Sequence, residues 1–223
     1  HFMDLIQALA AELGKDPRHV ENVVHLLDEG NTIPFIARYR KELHGAMDDT
    51  TLRTLEERLQ YLRSLEERRE AVKKSIDEQG KLTDELAAAI DSAKTLAEVE
   101  DLYRPYKQKR RTRATMAKEK GLEPLAALLF AQERDCPRPE EAARDFVDPE
   151  KGVETVEDAL QGAIDIIAEQ ISDDAAIRKS LRALISRQGQ LVSRAATEDD
   201  SVYRLYYDFT QSVARLQGHQ VLA

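Results

Sequence analysis

The sequence of 223 residues has few cysteines, glycines and prolines and no long apolar run, and these absences exclude several classes of protein. Its one cysteine, Cys136, cannot build a disulfide framework or a thiolate metal cluster, and this favours a reducing, cytoplasmic setting. Its longest apolar run, Leu125–Ala131, is far shorter than the roughly 20 residues that a transmembrane helix needs. Tryptophan is absent, and the 9 glycines and 7 prolines fall mostly where helices would begin and end. The sequence therefore predicts neither a disulfide scaffold nor a membrane span.

Motifs that mark common enzymes are also missing from the sequence. It contains no HExxH, GxxxxGK[ST], GxGxxG or GxSxG. His19 and His25 lie six residues apart on one predicted helix, whereas two metal ligands on one helical face are three or four apart, so surface or packing roles are favoured. Cys136 lies beside two prolines with no histidine nearby in sequence, which favours an incidental thiol over a nucleophile. We therefore expect no enzymatic activity, no metal ion and no cofactor.

The sequence does contain strong helical periodicity. From about Thr50 to Gln79 no glycine or proline interrupts the chain, and leucines recur at spacings of three, four or seven residues. At about 1.5 Å per residue this helix would be about 45 Å long, and we expect it to act as a strut for other helices. A leucine ladder of this kind is more often a core seam than a coiled-coil dimer, so a monomer is expected.

Capping residues and proline positions predict shorter helices on both sides of the long one, and hence an all-α fold. Its three predicted parts are residues 3–46, which begin with two short helices joined by a tight turn, residues 48–135, and residues 139–223. Beyond Gly189 the pattern is ambiguous: Leu191–Ser193 favours a short strand, whereas the segment 202–209 has mixed propensity.

Charge is distributed unevenly along the chain. The net charge is -9, from 33 basic and 42 acidic residues, yet the segment 103–120 contains eight basic residues and one acidic residue. This segment therefore has a charge of +7, and the other 205 residues have a charge of -16. A nucleic-acid partner would meet this local cationic segment within a chain that otherwise repels polyanions.

Basic residues alternate with tyrosines in the segment 103–113, and such a mixture can contact phosphates by charge and bases by stacking. The candidate nucleic-acid-binding residues are Lys107, Lys109, Arg110, Arg111 and Arg113, with Tyr103 and Tyr106 as stacking candidates. An equally weighted alternative is a solvated connector whose tyrosines simply pack. In that alternative its arginines pair with acids on neighbouring helices, such as Glu98, Glu100 and Asp101.

A weaker candidate group for nucleic-acid binding lies earlier in the chain. Its members are Arg38, Arg40 and Lys41. The favoured alternative here is that Phe35, Ile36 and Tyr39 form one face of a helix whose other face is simply charged.

Several blocks of the sequence resemble the N-terminal region of the bacterial Tex family of transcription accessory proteins. The blocks are Thr32–Glu42, Asp48–Leu62, Asp101–Thr112 and Gly121–Ala126. They are long, in order and spaced as in the family, and the resemblance covers essentially the whole chain from Met3. It implies a cytoplasmic, nucleic-acid-associated protein related to a eukaryotic transcription elongation factor, with a helical N-terminal part that includes a helix-turn-helix-like portion and a long central helix.

Family members continue into a YqgF-type, ribonuclease-H-like module, helix-hairpin-helix motifs and a C-terminal oligonucleotide-binding domain, so the resemblance implies a fragment that precedes them. We expect a non-enzymatic helical scaffold that contributes to sequence-independent nucleic-acid and transcription-complex binding. Its expected partners are nucleic acid, bound weakly through phosphates, the transcription machinery and the C-terminal modules of its own chain, but no membrane. The alternative is a protein-interaction scaffold without direct nucleic-acid contact, which the acidic remainder of the chain favours.

Overall fold

The computed structural model describes residues 2–222, apart from the side chain of Met3. Within that range thirteen α-helices make up most of the chain, and the one sheet has two strands. The predicted all-α fold is therefore confirmed, with this small sheet as an addition. None of the helices between residues 2 and 222 is both long and apolar enough to cross a membrane.

The chain forms two compact units that divide after Val99. The first seven helices are α1 (Phe2–Leu13), α2 (Pro17–Asp28), α3 (Ile33–Tyr39), α4 (Lys41–His44), α5 (Asp49–Glu78), α6 (Asp84–Ser92) and α7 (Leu96–Tyr103). The others are α8 (Arg113–Glu119), α9 (Glu123–Ala131), α10 (Pro139–Arg144), α11 (Val156–Asp173), α12 (Ala175–Gln188) and α13 (Gly218–Leu222). The strands are β1 (Gln190–Arg194) and β2 (Asp208–Ser212). The predicted division of the chain into residues 3–46, 48–135 and 139–223 remains a prediction.

The N-terminal unit is built around α5, whose 30 residues match the predicted long helix to within one residue at each end. Asp48 caps it, because its Oδ1 accepts a hydrogen bond of 2.7 Å from the amide of Thr51. The predicted ladder is buried at Leu52, Leu55, Leu59, Leu65, Val72 and Ile76. Its first half packs against aliphatic side chains of α1, α2 and α3, and so α5 forms one wall of this core.

Helices begin where the capping signals predict, with one variation. Asp16 caps α2, whose first residue is Pro17, and Thr83 caps α6. At the predicted capping box before α7, Thr95 Oγ1 accepts a hydrogen bond from the amide of Glu98. The carboxylate of Glu98, however, accepts from the amide of Lys94, one residue earlier than in the standard box.

Small residues form much of the core of the C-terminal unit. Between α8, α9, α10 and α11 the buried residues are Ala114, Ala117, Leu122, Leu125, Ala126, Ala142, Ala143, Val153, Ala159, Ala163 and Ile166. Gly162 on α11 lies so close to Leu122 that a Cβ atom at position 162 would overlap the leucine side chain. The helices in this core therefore approach each other closely, which suits short side chains.

The segment after Gly189 forms an antiparallel hairpin of β1 and β2, in which Val192 pairs with Thr210. The predicted strand at Leu191–Ser193 is confirmed as the middle of β1. The segment of mixed propensity divides into a 3-10 turn, Arg204–Tyr206, and the start of β2.

Candidate nucleic-acid interface

The segment 103–113, here called the basic loop, connects α7 to α8 in the C-terminal unit. Pro105 lies in a 3-10 turn, Arg104–Tyr106, that follows α7, and the amide of Lys107 donates a hydrogen bond of 3.0 Å to the carbonyl of Tyr103. At the other end Thr112 Oγ1 accepts a bond of 3.1 Å from the amide of Thr115, which caps α8. The loop is therefore held by a backbone hydrogen bond at its first end and by a side-chain cap at its second.

Two cations of the basic loop are bound by acids at the C-terminal end of α11. Arg104 Nε lies 3.1 Å from Asp173 Oδ1, and Lys109 Nζ contacts the other oxygen of the same carboxylate. Lys109 Nζ also lies 3.7 Å from Glu169 Oε1. Because the side chain of Asp173 is only 14% exposed, this acid screens both cations from an incoming phosphate.

The remaining cations of the basic loop divide into one that is paired and three that are not. Arg111 Nη2 lies 2.6 Å from Glu119 Oε2 on α8. Among residues 2–222 no acidic partner is found for Lys107, Arg110 or Arg113, and all three are exposed. These three are therefore the cations of the loop that are most available to an external anion.

The predicted alternative, in which the arginines pair with acids of neighbouring helices, is partly realised but with different acids. In that alternative Asp101 was one of the acids that pair with arginines of the basic loop, but its carboxylate pairs with two arginines of α12 instead. It is 5% exposed, and its two oxygens lie 2.9 Å from Arg178 Nε and 2.9 Å from Arg182 Nη2 on α12. One signal of this contact is visible before folding: Arg178 and Arg182 have the i, i+4 spacing of one helical face.

Tyr103 and Tyr106 are half-buried in the C-terminal unit. Only part of each ring is therefore open to a base. Their role as stacking partners remains a prediction.

The weaker candidate group forms a compact exposed surface, here called the α3 patch: Phe35, Arg38, Tyr39, Arg40 and Lys41. The rings of Phe35 and Tyr39 have centroids 5.2 Å apart at an interplanar angle of 46°. The Cζ atom of Arg38 lies 5.5 Å from the centroid of Tyr39, and that of Arg40 lies 5.8 Å from the centroid of Phe35. In the part of the chain that the structure describes, no acid pairs with the three cations.

The predicted apolar face of this helix was wrong. Ile33 and Ile36 are buried, at 5% and 0% exposure, whereas Phe35 is 37% exposed and Tyr39 is 57% exposed. The aromatic side chains therefore share the outer face with the cations instead of packing in the core beside Ile36.

Two other side chains that could carry chemistry, those of His25 and Cys136, have ordinary contacts. His25 Nε2 lies 3.8 Å from Glu21 Oε1 on the same helix, and the Sγ of Cys136 lies 3.8 Å from the carbonyl of Leu128. Between residues 2 and 222 there is no group of three or more histidine, cysteine or acidic side chains arranged to hold a metal ion.

Comparison with known proteins gives matches along most of the chain. Residues 3–77 match the Tex-like protein N-terminal domain, and residues 135–223 match the Tex central region-like family. The chain is 48% identical to Protein YhgF of Escherichia coli over 96% of its own length and 28% of the relative. It is 43% identical to the transcriptional accessory protein Tex of Neisseria gonorrhoeae, over 99% of the chain and 29% of the relative.

A more distant relative is the human S1 RNA-binding domain-containing protein 1, which is 29% identical over 99% of the chain and 23% of the relative. The chain thus spans less than a third of the length of these proteins. With two family matches in order and bacterial relatives above 40% identity along almost all of its length, the chain belongs to the Tex family of transcription accessory proteins.

Proposed function

We propose that this chain is a non-enzymatic helical scaffold that contributes a sequence-independent, phosphate-directed nucleic-acid contact to a transcription accessory protein. The observation that carries the proposal is a set of three exposed cations, Lys107, Arg110 and Arg113, for which residues 2–222 provide no acidic partner, on a chain whose net charge is -9. In so acidic a chain, exposed cations of one loop that have no carboxylate partner among the described residues are where a polyanion can approach without net repulsion.

The paired cations of the basic loop have a conditional role in this proposal. Lys109 and Arg111 can contact a phosphate when that phosphate replaces their carboxylate partners, Asp173 and Glu119. The exchange substitutes one anion for another, so each paired cation adds less to affinity than an unpaired one. Tyr103 and Tyr106 would stack only on bases that reach the half-buried rings.

The names of the relatives support a role beside nucleic acid. One relative is named a transcriptional accessory protein, and another is named for an S1 RNA-binding domain. Because the chain covers less than a third of their length, we assign it an auxiliary contact in the cytoplasm and not the whole activity. Within the helix-turn-helix-like part, residues 3–46, the cations Arg38, Arg40 and Lys41 form the secondary contact of this proposal.

Titration with single-stranded and duplex DNA and RNA at several salt concentrations tests the proposal. Three phosphate contacts predict a slope of log K against log salt of about -2.7 for duplex DNA, since each contact contributes about 0.9. The triple variant Lys107→Gln, Arg110→Gln, Arg113→Gln should abolish most of this slope. A matched control with the same change of charge is Lys81→Gln, Arg134→Gln, Arg138→Gln, at three exposed positions outside the loop. Binding that is undetectable, or equally weakened by both triple variants, contradicts the role of the basic loop.

A protein-interaction scaffold is the second candidate, and an exposed apolar stripe on α12 favours it. Ile177, Leu181, Leu184 and Ile185 follow the i, i+4, i+7, i+8 spacing of one helical face and are 38–54% exposed. In this candidate the stripe docks on the C-terminal remainder of the full-length protein. Mixing the chain with that remainder, produced separately, should give a complex that the variant Leu181→Ser, Ile185→Ser loses. A complex that survives this variant contradicts the α12 stripe as the docking surface.

A further inference from the structure

We infer that the α3 patch is a binding site for single-stranded nucleic acid, in which unstacked bases lie on Phe35 and Tyr39 while phosphates contact Arg38, Arg40 and Lys41. The inference rests on the proposed function in that both expect a nucleic-acid partner. It deepens the secondary contact of that proposal, Arg38, Arg40 and Lys41, by adding two exposed rings and with them a preference for single strands.

Packing beneath α3 fixes which side chains face outward. Ile33 and Ile36 are buried in the core that α5 shares with α2 and α3, and Ala37 packs partly against it. Thr32 caps the helix, with its Oγ1 accepting a hydrogen bond of 3.4 Å from the amide of Phe35. The two aromatic residues, spaced i, i+4, are therefore held side by side on the solvent face.

Hydrogen bonds at the C-terminal end of α3 position the last two cations, Arg40 and Lys41. The amide of Arg40 donates to the carbonyl of Ile36 at 3.1 Å, and the carbonyl of Arg40 accepts from the amide of His44 at 3.2 Å. The short helix α4 is tied to α2 by a 3.0 Å hydrogen bond from Asn22 Nδ2 to the carbonyl of Leu43, and His44 is buried. A ligand would therefore meet a preorganised surface rather than a mobile loop, which lowers the entropy lost on binding.

The charge of the α3 patch selects an anionic partner. From Asn31 to Lys41 the chain contains three cations and no acid. Two of the cations lie near ring faces, where the cation–π attraction holds the guanidinium groups without using up their hydrogen-bond donors. These donors can form bidentate contacts with phosphate oxygens.

The exposed rings favour a single strand over a duplex or an acidic protein segment. Bases in a duplex are stacked on each other and hide their faces, whereas a single strand can place its bases on aromatic side chains. An acidic peptide would satisfy the cations, but its carboxylates have no aromatic face to stack on the rings of Phe35 and Tyr39, which are 37% and 57% exposed. The combination of rings and unpaired cations therefore fits single-stranded nucleic acid best.

Fluorescence provides a direct test, because the sequence has no tryptophan. The variant Tyr39→Trp should lose emission when a 20-nucleotide oligo-dT or oligo-rU is added, since a base stacks on the indole. The control is a tryptophan at an exposed phenylalanine of the other unit, Phe130→Trp, whose emission should not change. Quenching of Tyr39→Trp by oligo-dT but not by a 20-base-pair duplex supports the inference; equal quenching by both, or none, overturns it.

Affinity measurements separate stacking from charge. The variant Phe35→Ala, Tyr39→Ala should weaken oligo-dT binding by at least about ten-fold with little change in salt slope, because stacking releases few counterions. The variant Arg38→Gln, Arg40→Gln, Lys41→Gln should instead reduce the slope by roughly 0.7 per lost contact. Circular dichroism confirms folding, which the exposed positions should not affect. An unchanged oligo-dT affinity in the aromatic variant, or tighter binding of polyglutamate than of oligo-dT, contradicts the site.

The basic-loop triple variant distinguishes this inference from the proposed function. If Lys107→Gln, Arg110→Gln, Arg113→Gln leaves all binding intact while the aromatic variant loses it, the proposed loop contact fails and the α3 site stands. If the loop variant removes duplex binding while the aromatic variant is neutral toward oligo-dT, the loop contact stands and the α3 site fails.

Discussion

The two units each expose a cationic segment, but they hold it in place by different forces. The helix that carries the α3 patch packs through two aliphatic side chains, Ile33 and Ile36, which are buried in the core of the N-terminal unit. The basic loop of the C-terminal unit is held by ion pairs, with Arg104 and Lys109 both on Asp173 of α11. Apolar burial contributes to stability without using the charged groups, whereas ion pairing consumes them.

This difference determines which cations remain available to a partner. In the α3 patch all three cations are without an acidic partner within the described residues, whereas in the basic loop three are free and three are paired. An anion that approaches the loop must compete with carboxylates of the protein itself. We therefore expect the α3 patch to bind by charge and stacking together, and the loop to bind mainly by charge, to an extent that its own acids limit.

The largest expected effect is on the apolar support of the α3 patch. Ile36 is completely buried, so Ile36→Ala should lower the free energy of unfolding by about 2–5 kcal/mol through lost burial and the cavity that remains. Urea denaturation measures the change. Arg38→Ala, on the exposed face of the same helix, is the control and should stay within about 0.5 kcal/mol of the original protein. A loss below about 1 kcal/mol for Ile36→Ala would mean that packing does not hold the patch.

The next effect concerns the buried acid Asp101, on α7 two residues before the basic loop. Asp101→Asn keeps the shape of the side chain but removes the charge that Arg178 and Arg182 share, and should lower the free energy of unfolding by about 1.5–3 kcal/mol. The value stays moderate because both arginine side chains are at least 32% exposed and keep some water. Asp145→Asn, at an exposed acid of the same unit, should be neutral in the same denaturation experiment. Equal effects of the two changes would show that the buried contact adds nothing.

Sequence patterns predicted the architecture better than the candidate sites, for a physical reason. The limits of α5 follow from local signals, namely a capping aspartate, an unbroken leucine ladder and a glycine beyond its end. The partners of Asp101 are 77 and 81 residues away, and no local pattern links them. The orientation of α3 was missed because seven residues contain too few turns to show which apolar side chains face the core.

A third prediction tests whether the acids of α11 screen the basic loop. Asp173→Asn removes the carboxylate that binds Arg104 and Lys109, and should add up to two phosphate contacts. Duplex binding should then tighten on the order of ten-fold at 0.1 M salt, with a slope steeper by up to about 1.8. Fluorescence anisotropy with a labelled duplex measures both quantities.

The control for this third prediction must change the charge by the same amount without releasing a cation. Asp165→Asn lies on the same helix, and the Asp165 carboxylate accepts a hydrogen bond from Gln161 and not from the basic loop. It should alter duplex affinity only slightly. If both variants tighten binding equally, the gain comes from net charge and the screening interpretation is wrong.

The smallest expected effect is that of pH on the N-terminal unit, where ion pairs supplement the apolar core. Arg58 Nε lies 2.8 Å from Glu12 Oε2, and Arg63 Nη1 lies 2.7 Å from Asp28 Oδ1. The hydrogen bond from each arginine lowers the pKa of its carboxyl below the ordinary values of 4.5 for Glu12 and 3.8 for Asp28. A lowered pKa in the folded state means that each pair stabilises the protein above these values and loses its contribution as the pH falls through the folded pKa.

Each of these pairs is about 40% exposed, so solvent screening should limit it to about 0.2–1 kcal/mol. The urea midpoint should therefore fall more between pH 6 and pH 3 in the original protein than in the variant Arg58→Gln, Arg63→Gln, which lacks these two pairs. Raising the salt concentration should reduce this difference, because the exposed charges are then screened. Identical pH dependence in the two proteins would leave the apolar core as the main support of the N-terminal unit, and would sharpen its contrast with the ion-paired basic loop.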